Sequence, residues 1–240
     1  MHRIRAITLD LDDTLWEIGP VISRAEAKLW SWLGEHFPKI TEAFSPDEAY
    51  ALREQVLEKH REQSHNFRFL RQTVLEHMAR SVGYAPDFLD DAFAVFDRAR
   101  NEVELFTDVV PTLQALNDHF SLIAVTNGNA NLETIGIRHL FHDVVTAVDV
   151  GSAKPAMPIF VEAVNRAGVS AEETLHVGDH PEIDIVGAQN AGLRTAWVNR
   201  NGDGWPEQFS PPDAIVTTIT ELVTVLEPAI ANKTPTVANE

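Results

Sequence analysis

Three aspartates and a threonine crowd into DLDDT, residues 10–14, at the end of the apolar run IRAITLDL. Asp10, Asp12 and Thr14 alternate along the chain. In a strand, residues i and i+2 point to the same side, roughly 6–7 Å apart. Carboxylates at that distance are too far apart to share one proton. They can divide a phosphoryl transfer between them, one attacking phosphorus while the other handles the leaving oxygen. They can also hold Mg²⁺, a hard cation that takes one or two carboxylates alongside phosphate oxygens and water. Like charges at a strand tip repel, so the stretch demands a positive partner from elsewhere.

Three later stretches supply candidates. In VTNGNA (125–130), the Thr126 hydroxyl and Asn127 amide end another apolar run, where with nearby backbone N–H groups they could bind a phosphate oxygen. In SAKPAMPIF (152–160), Lys154 precedes Pro155 in the turn before a helix, where an ammonium can hold phosphate and offset carboxylates. In LHVGDHPEIDIVGAQNAG (175–192), Asp179 ends a strand and Asp184 begins the next helix, either capping it or ordering the water shell of a metal. His180, beside Asp179, is either within reach of substrate and metal-bound water or a partly exposed turn residue. Each stretch alone is ordinary turn chemistry. Together they fall, in order, at four strand ends or the turns after them, and a parallel sheet gathers such ends on one edge.

The elements that must position these residues follow from the pattern of apolar residues. Strand-like runs occur at 4–11, 121–127, 144–150, 174–179, 194–199 and 214–217, separated mostly by helical periodicity at 111–120, 158–168, 182–192 and 220–230. Such alternation predicts an α/β fold with a doubly wound, mostly parallel sheet. Between residues 17 and 105 the pattern is helical throughout, with helices predicted at 20–37, 46–63, 67–81 and 86–103 and loops such as HFPKITEAFSPDE between them. The division expected is therefore a core of 1–16 and 106–230, a helical insert of 17–105, and a polar tail of 231–240.

Bulk composition narrows the classes. The 240 residues are 44% hydrophobic and 23% charged, the balance of a folded domain. Lys and Arg number 19 against 36 Asp and Glu, a net charge of −17. A chain this acidic repels polyanions, so nucleic acid is not an expected partner. The chain has no cysteine, which excludes disulfides, thiolate metal sites and cysteine nucleophiles. No apolar run reaches the ~18 residues of a membrane span, and the first residues enter a strand pattern directly. Neither a membrane nor a secretory leader is expected, and a cytoplasmic location fits.

As a set, DLDDT, Thr126 with Asn127, Lys154-Pro155 and GDHPEID (178–184) resemble the haloacid dehalogenase-like hydrolases, in their Mg²⁺-dependent phosphatase branch. That resemblance implies a Rossmann-like core with an inserted all-helical cap. It implies that Asp10 is the nucleophile, becoming an aspartyl-phosphate, and that Asp12 is general acid and then general base. Asp10, the backbone carbonyl of Asp12 and Asp179 would bind Mg²⁺, with Asp184 supporting the site. Thr126 would hold the phosphoryl group, and Lys154 would stabilise its charge. Asp13 matches a variable position, and Ile183 stands where many relatives have Asn. Thr14, Trp16, Asn127 and His180 are the expected substrate contacts, Trp16 as an aromatic wall at the hinge. LDLDDTLWEIGPVI and LHVGDHPEIDIVGAQNAGLRTAWVNRNG further resemble the bacterial flavin mononucleotide phosphatase type, which also acts on phosphoribitylamino-uracil. The substrate expected is thus a small phosphorylated metabolite. A phosphomutase, a sugar-phosphate phosphatase or a catalytically silent binding module are the alternatives.

Overall fold

The structure, a computed structural model, describes residues 1 and 3–231. In chain order the elements are β1 (Ala6–Leu9), α1 (Ile18–His36), α2 (Pro38–Ala43), α3 (Pro46–Lys59), α4 (Phe67–Ser81), α5 (Leu89–Arg100) and α6 (Val109–Asn117). Then come β2 (Ser121–Thr126), α7 (Leu132–Ile135), β3 (Asp143–Thr146), α8 (Ala147–Val150), α9 (Met157–Ala167) and β4 (Thr174–Gly178). A π-helical turn (Pro181–Val186) leads into α10 (Gly187–Asn190), followed by β5 (Arg194–Val198), β6 (Ala214–Val216) and α11 (Glu221–Ala231).

Among the described residues two compact units emerge: 1–16, 104–127 and 136–231 form one, and 17–103 with 128–135 form the other. The sequence placed 128–135 in the core. Local bonding explains the difference: Asn131 N–H donates to Asn101 Oδ1 (2.7 Å) and Asn129 Nδ2 to Asp97 Oδ1 (3.1 Å). Of the tail expected at 231–240, Ala231 ends α11 and the rest lies outside the described residues.

In the α/β unit six strands form one sheet in the order β3-β2-β1-β4-β5-β6, with every neighbouring pair parallel. This is the doubly wound order, whose ligand crevice lies at the strands' carboxyl ends where the winding reverses, next to β1. All four residues of β1 are buried, as a central parallel strand covered on both faces requires. Ile123, Val125, Val145, Ile159 and Phe160 build one of the cores against it. The strand expected over 144–150 is shorter: Thr146 caps a helical turn through its side chain, and Val148 is left exposed.

The helical unit packs α1 along α5, and α4 against both α5 and α3, around Leu33, Ile40, Leu70, Met78 and Phe96. Ser45, the N-cap of α3, and Glu48 form a reciprocal capping box around Pro46, the helix's first residue. The segment expected to be a plain loop contains α2, with Pro38 at its first position, where a missing N–H is harmless. Helix α7 was likewise not foreseen. Among the described residues no helix is long and apolar enough to cross a membrane.

Ile123 is fully buried in β2. Its replacement by Ala is expected to lower the unfolding free energy by about 2–5 kcal/mol in urea titrations. Val161→Ala, on the exposed side of α9, should change it by no more than ~0.5 kcal/mol.

Candidate active site

The site begins where β1 ends. Asp10 N–H still donates to Val177 O (2.9 Å), so Asp10 is locked in register with β4 before the chain turns away. The turn is tight: Leu15 N–H returns to Leu11 O (2.8 Å), Asp13 N–H to Trp16 O (2.8 Å), and Asp13 takes a left-handed φ of 61°. Aspartate tolerates that region better than most residues. The turn brings the Trp16 indole N–H onto Asp12 Oδ1 at 2.9 Å, with Trp16 fully buried. An open aromatic wall for substrate was expected of Trp16. Its observed partner is instead the Asp12 carboxylate.

Lys154 is also buried, and its Nζ donates to Asp10 Oδ1 and to Asp184 Oδ1 (2.6 Å). The turn that carries it is clasped by Asn127. The Asn127 Oδ1 accepts from Lys154 N–H (2.7 Å), and its Nδ2 donates to Lys154 O (3.0 Å). Asn127 was expected on phosphate, but both ends of its amide are taken up by the lysine's backbone. Thr126, buried, is the last residue of β2.

Asp184 was expected to cap a helix or to order metal water. It sits inside the π-helical turn, 2% exposed, pressed over the end of β4. Gly178 permits that approach: a Cβ on it would lie 2.4 Å from Asp184 Cγ. Asp184 Oδ2 accepts from His180 N–H (3.0 Å), and Oδ1 faces His176 Nε2 (3.3 Å) as well as Lys154. His176 Nδ1 meets the Thr8 hydroxyl at 2.8 Å. Because Asp184 can only accept, Nε2 carries the ring proton and Thr8 donates to Nδ1. The His180 ring, expected at substrate, caps the following turn: its Nδ1 accepts from Glu182 and Ile183 N–H, both at 3.2 Å. The Thr14 hydroxyl, also expected at substrate, is buried and lies within reach of Asp10 Oδ2 (3.1 Å) and Asp179 Oδ1 (3.3 Å). The Trp197 indole fixes the backbone of Asp179 through its carbonyl (2.6 Å). Arg200 donates to Thr14 O (3.1 Å) and to Asp108 Oδ2 (3.1 Å), bracing the far end of the first turn.

Oxygen atoms of Asp10, Asp179 and Asp184 all lie within 4.8 Å of one another. These three carboxylates face one ammonium, which leaves two negative charges when all are ionised. The titration behaviour reflects that imbalance. Burial pushes the Asp10 carboxyl well up; Lys154 opposes this, and Asp184 and Asp179 add to it. Burial, then Asp184 and Asp13, push Asp179 up to about 7. Burial would also raise Asp184, but Lys154 and the His176 hydrogen bond outweigh it and hold that carboxylate low. Burial would depress Lys154, but its two carboxylates reverse the sign and keep it charged. Asp184 and Lys154 therefore form the settled ion pair, while Asp10 and Asp179 remain short of one divalent positive charge. Oxygen donors from buried carboxylates suit a hard cation such as Mg²⁺.

His176, Trp197, Arg200 and Gly178 were missed as site residues. A buried polar residue in an otherwise apolar strand was the available signal for His176. For Arg200, distant in sequence from Asp108 and Thr14, there was none.

Millimolar Mg²⁺ should raise the thermal midpoint of the metal-free protein, because a ligand of the native state stabilises it by mass action. Asp179→Asn should remove most of that rise in a thermal-shift titration. Gly178→Ala should do the same by displacing Asp184, whereas Gly19→Ala, in open space in the first turn of α1, should keep the rise.

The haloacid dehalogenase-like hydrolase family matches residues 4–192. The 5-amino-6-(5-phospho-D-ribitylamino)uracil phosphatase YigB of Escherichia coli (strain K12) is 32% identical over 220 residues, covering 88% of this chain and 92% of that protein. The glyceraldehyde 3-phosphate phosphatase of Methanopyrus kandleri is 32% identical over 206 residues, covering 82% and 84%. Among solved structures, a 2-haloacid dehalogenase from Pseudomonas syringae pv. tomato DC3000 superposes with a TM-score of 0.88 at 38% identity, over 93% of this chain and 98% of that one. With the motif residues assembled on one edge of a 3-2-1-4-5-6 sheet and a helical unit inserted after β1, the chain belongs to the haloacid dehalogenase-like hydrolases.

Proposed function

We propose that the protein is a Mg²⁺-dependent phosphomonoesterase that hydrolyses a small phosphorylated metabolite through an aspartyl-phosphate. The observation that carries this reading is the buried Lys154 ammonium shared by Asp10 and Asp184, with Asp179 beside them. A site with unsatisfied negative charge and a fixed lysine is arranged for a dication and an anionic group that arrive together.

In the first step an Asp10 carboxylate oxygen attacks phosphorus, and the bond to the ester oxygen breaks. Asp12 gives its proton to the departing alkoxide. In the second step Asp12, now a carboxylate, takes a proton from water as that water attacks the phosphorus. The Asp10–phosphorus bond breaks, releasing inorganic phosphate and restoring both aspartates. Lys154 and the Thr126 hydroxyl hold the phosphoryl oxygens throughout. Asp10, the Asp12 carbonyl and Asp179 would hold Mg²⁺, with Asp184 ordering its shell. When bound, the ion neutralises charge on the phosphoryl oxygens. The Trp16 indole N–H on Oδ1 fixes the orientation of the Asp12 carboxyl group that moves the proton.

The solved relative named as a 2-haloacid dehalogenase raises a second reading, displacement of halide by the same nucleophile. A halide leaves without a proton, so that chemistry gives an acid at position 12 nothing to do. Asp12, held in place by an indole, favours phosphate. For substrate, the names of the two phosphatase relatives share a phosphate ester on a small hydroxylated chain. Flavin mononucleotide and phosphoribitylamino-uracil, each with a ribityl phosphate, are the substrates we propose. The aromatic wall for such rings has to come from residues other than Trp16.

The test is hydrolysis of p-nitrophenyl phosphate, flavin mononucleotide, glyceraldehyde 3-phosphate and a 2-chloroalkanoate, with and without Mg²⁺. We expect Mg²⁺-dependent release of phosphate, no release of chloride, and loss on the order of 10³-fold or more in Asp10→Asn. Equal rates on all three phosphate esters would remove the ribityl assignment. Absence of turnover on any phosphate would favour a silent module, and phosphate transferred rather than released would favour a mutase. In Asp12→Asn, p-nitrophenolate needs no proton to leave, so a burst equal to the enzyme concentration should precede turnover slowed by roughly 10²–10⁴-fold.

Trp16→Phe keeps the ring and deletes the N–H. Its kcat should fall about tenfold, as for loss of one hydrogen bond to a charged group, with KM nearly unchanged. A large rise in KM instead would restore Trp16 as a substrate contact.

A further inference from the structure

In the inserted unit α1 packs along α5, α5 against α4, and α4 against α3, while α1 and α3 pack less extensively than any of these pairs. A cleft of about 680 Å³ opens there, lined entirely by residues of α1, α3 and α4. That volume lies within the range of small-molecule sites, about 300–1,000 Å³. Its walls are mostly apolar, with Trp30 on α1, Tyr50 on α3 and Phe67 and Met78 on α4.

Two guanidinium groups line the same cleft, Arg53 on α3 and Arg71 on α4, against one carboxylate, Glu26 on α1. Arg71 is committed: it pairs with Glu26 at 2.5 Å and lies 3.5 Å from the Phe96 ring. Arg53 has the Phe67 ring at 5.9 Å, and no carboxylate pairs with it among the described residues. Burial lowers the Arg71 pKa; Glu26 opposes this, and the Arg53 charge adds to it, so the two cations repel across the cleft. An apolar cleft with one cation in surplus is complementary to an anion that carries an apolar body.

We propose that this cleft is a ligand site separate from the aspartate cluster, and that it takes an amphipathic carboxylate with its head on Arg53 and its chain against Trp30, Phe67 and Met78. The proposal does not rest on the phosphatase reading, because every residue it uses belongs to the helical unit. Occupancy would also fill the cleft between α1, α3 and α4, so it should stabilise the fold.

The test uses the whole protein, with decanoate, decan-1-ol and decyltrimethylammonium as probes below their micellar concentrations. Binding is read by calorimetry and by thermal shift. We expect decanoate to bind at one site per chain and to raise the midpoint, decanol to bind at least about tenfold more weakly, and the cation more weakly still. Arg53→Gln should weaken decanoate by about tenfold and leave decanol within about twofold. Ala49→Trp, which fills the cleft, should abolish binding of both, and Trp30→Phe should remove the change in tryptophan fluorescence that decanoate produces. Absence of decanoate binding, equal affinity for decanoate and decanol, or decanoate binding unchanged in Arg53→Gln would each overturn the proposal. So would a dimer in sedimentation velocity that Tyr50→Glu dissociates, since a second copy would then occupy the cleft. The Arg53 arm does not depend on Ala49→Trp folding.

Discussion

A single buried ammonium governs the α/β unit's active edge. Lys154 cannot be withdrawn from water without anionic partners, and Asp10 and Asp184 cannot be buried without a cation. Each makes the others tolerable only if all three stay within hydrogen-bond distance. The surrounding structure enforces that distance. Asn127 fixes the lysine's backbone from both sides, and Gly178 has no side chain, so Asp184 can descend onto the strand end. His176 and the His180 N–H fill the remaining acceptor positions of Asp184. A buried carboxylate with its lone pairs satisfied keeps its charge and its place, which a site exchanging protons and phosphate requires of its scaffold.

Lys154 nevertheless leaves the cluster underpaid in charge by two units, and the shortfall falls unevenly. Asp184 is fully compensated, while Asp10 and Asp179 are raised. On the mechanism proposed, complete neutralisation of Asp10 by the lysine would leave the nucleophile with little tendency to attack. Had the lysine not touched Asp10, nothing would aim that carboxylate. Sharing one ammonium between Asp184 and Asp10, the proposed nucleophile, gives orientation without full neutralisation, and the residual charge would attract a dication.

The sheet was legible because its strands are short apolar runs between helical stretches, and all six lie within a few residues of where the pattern put them. Asp10, Lys154, Asp179 and Asp184 were legible because each sits at a strand end or the turn after one, and parallel strands bring such positions together. Partner choice was not legible. Thr14, Asn127, His180 and Trp16 have groups suited to substrate, and the sequence offers no way to see that a carboxylate or a backbone amide reaches them first. Arg200 was hidden for a related reason: its partners Asp108 and Thr14 lie 92 and 186 residues away in sequence and meet it only through the fold. Helix α2 was hidden by length, since a six-residue helix that starts at Pro38 and stops three residues before Pro46 looks the same as a loop.

Those substituted partners bear on the choice between halide and phosphate chemistry. Backbone likeness to a solved protein named as a dehalogenase extends over nearly the whole chain, so the fold cannot separate the two reactions. The attacking carboxylate is the same in both. They differ in whether the departing atom needs a proton, and the turn of chain after β1 bears on that difference. The turn carries an aspartate at position 12 and a tryptophan at position 16 whose N–H reaches back to it. The left-handed φ at Asp13 and the buried indole beside it hold the Asp12 carboxyl group in one orientation, which fits the proposal that Asp12 gives up a proton and takes one back.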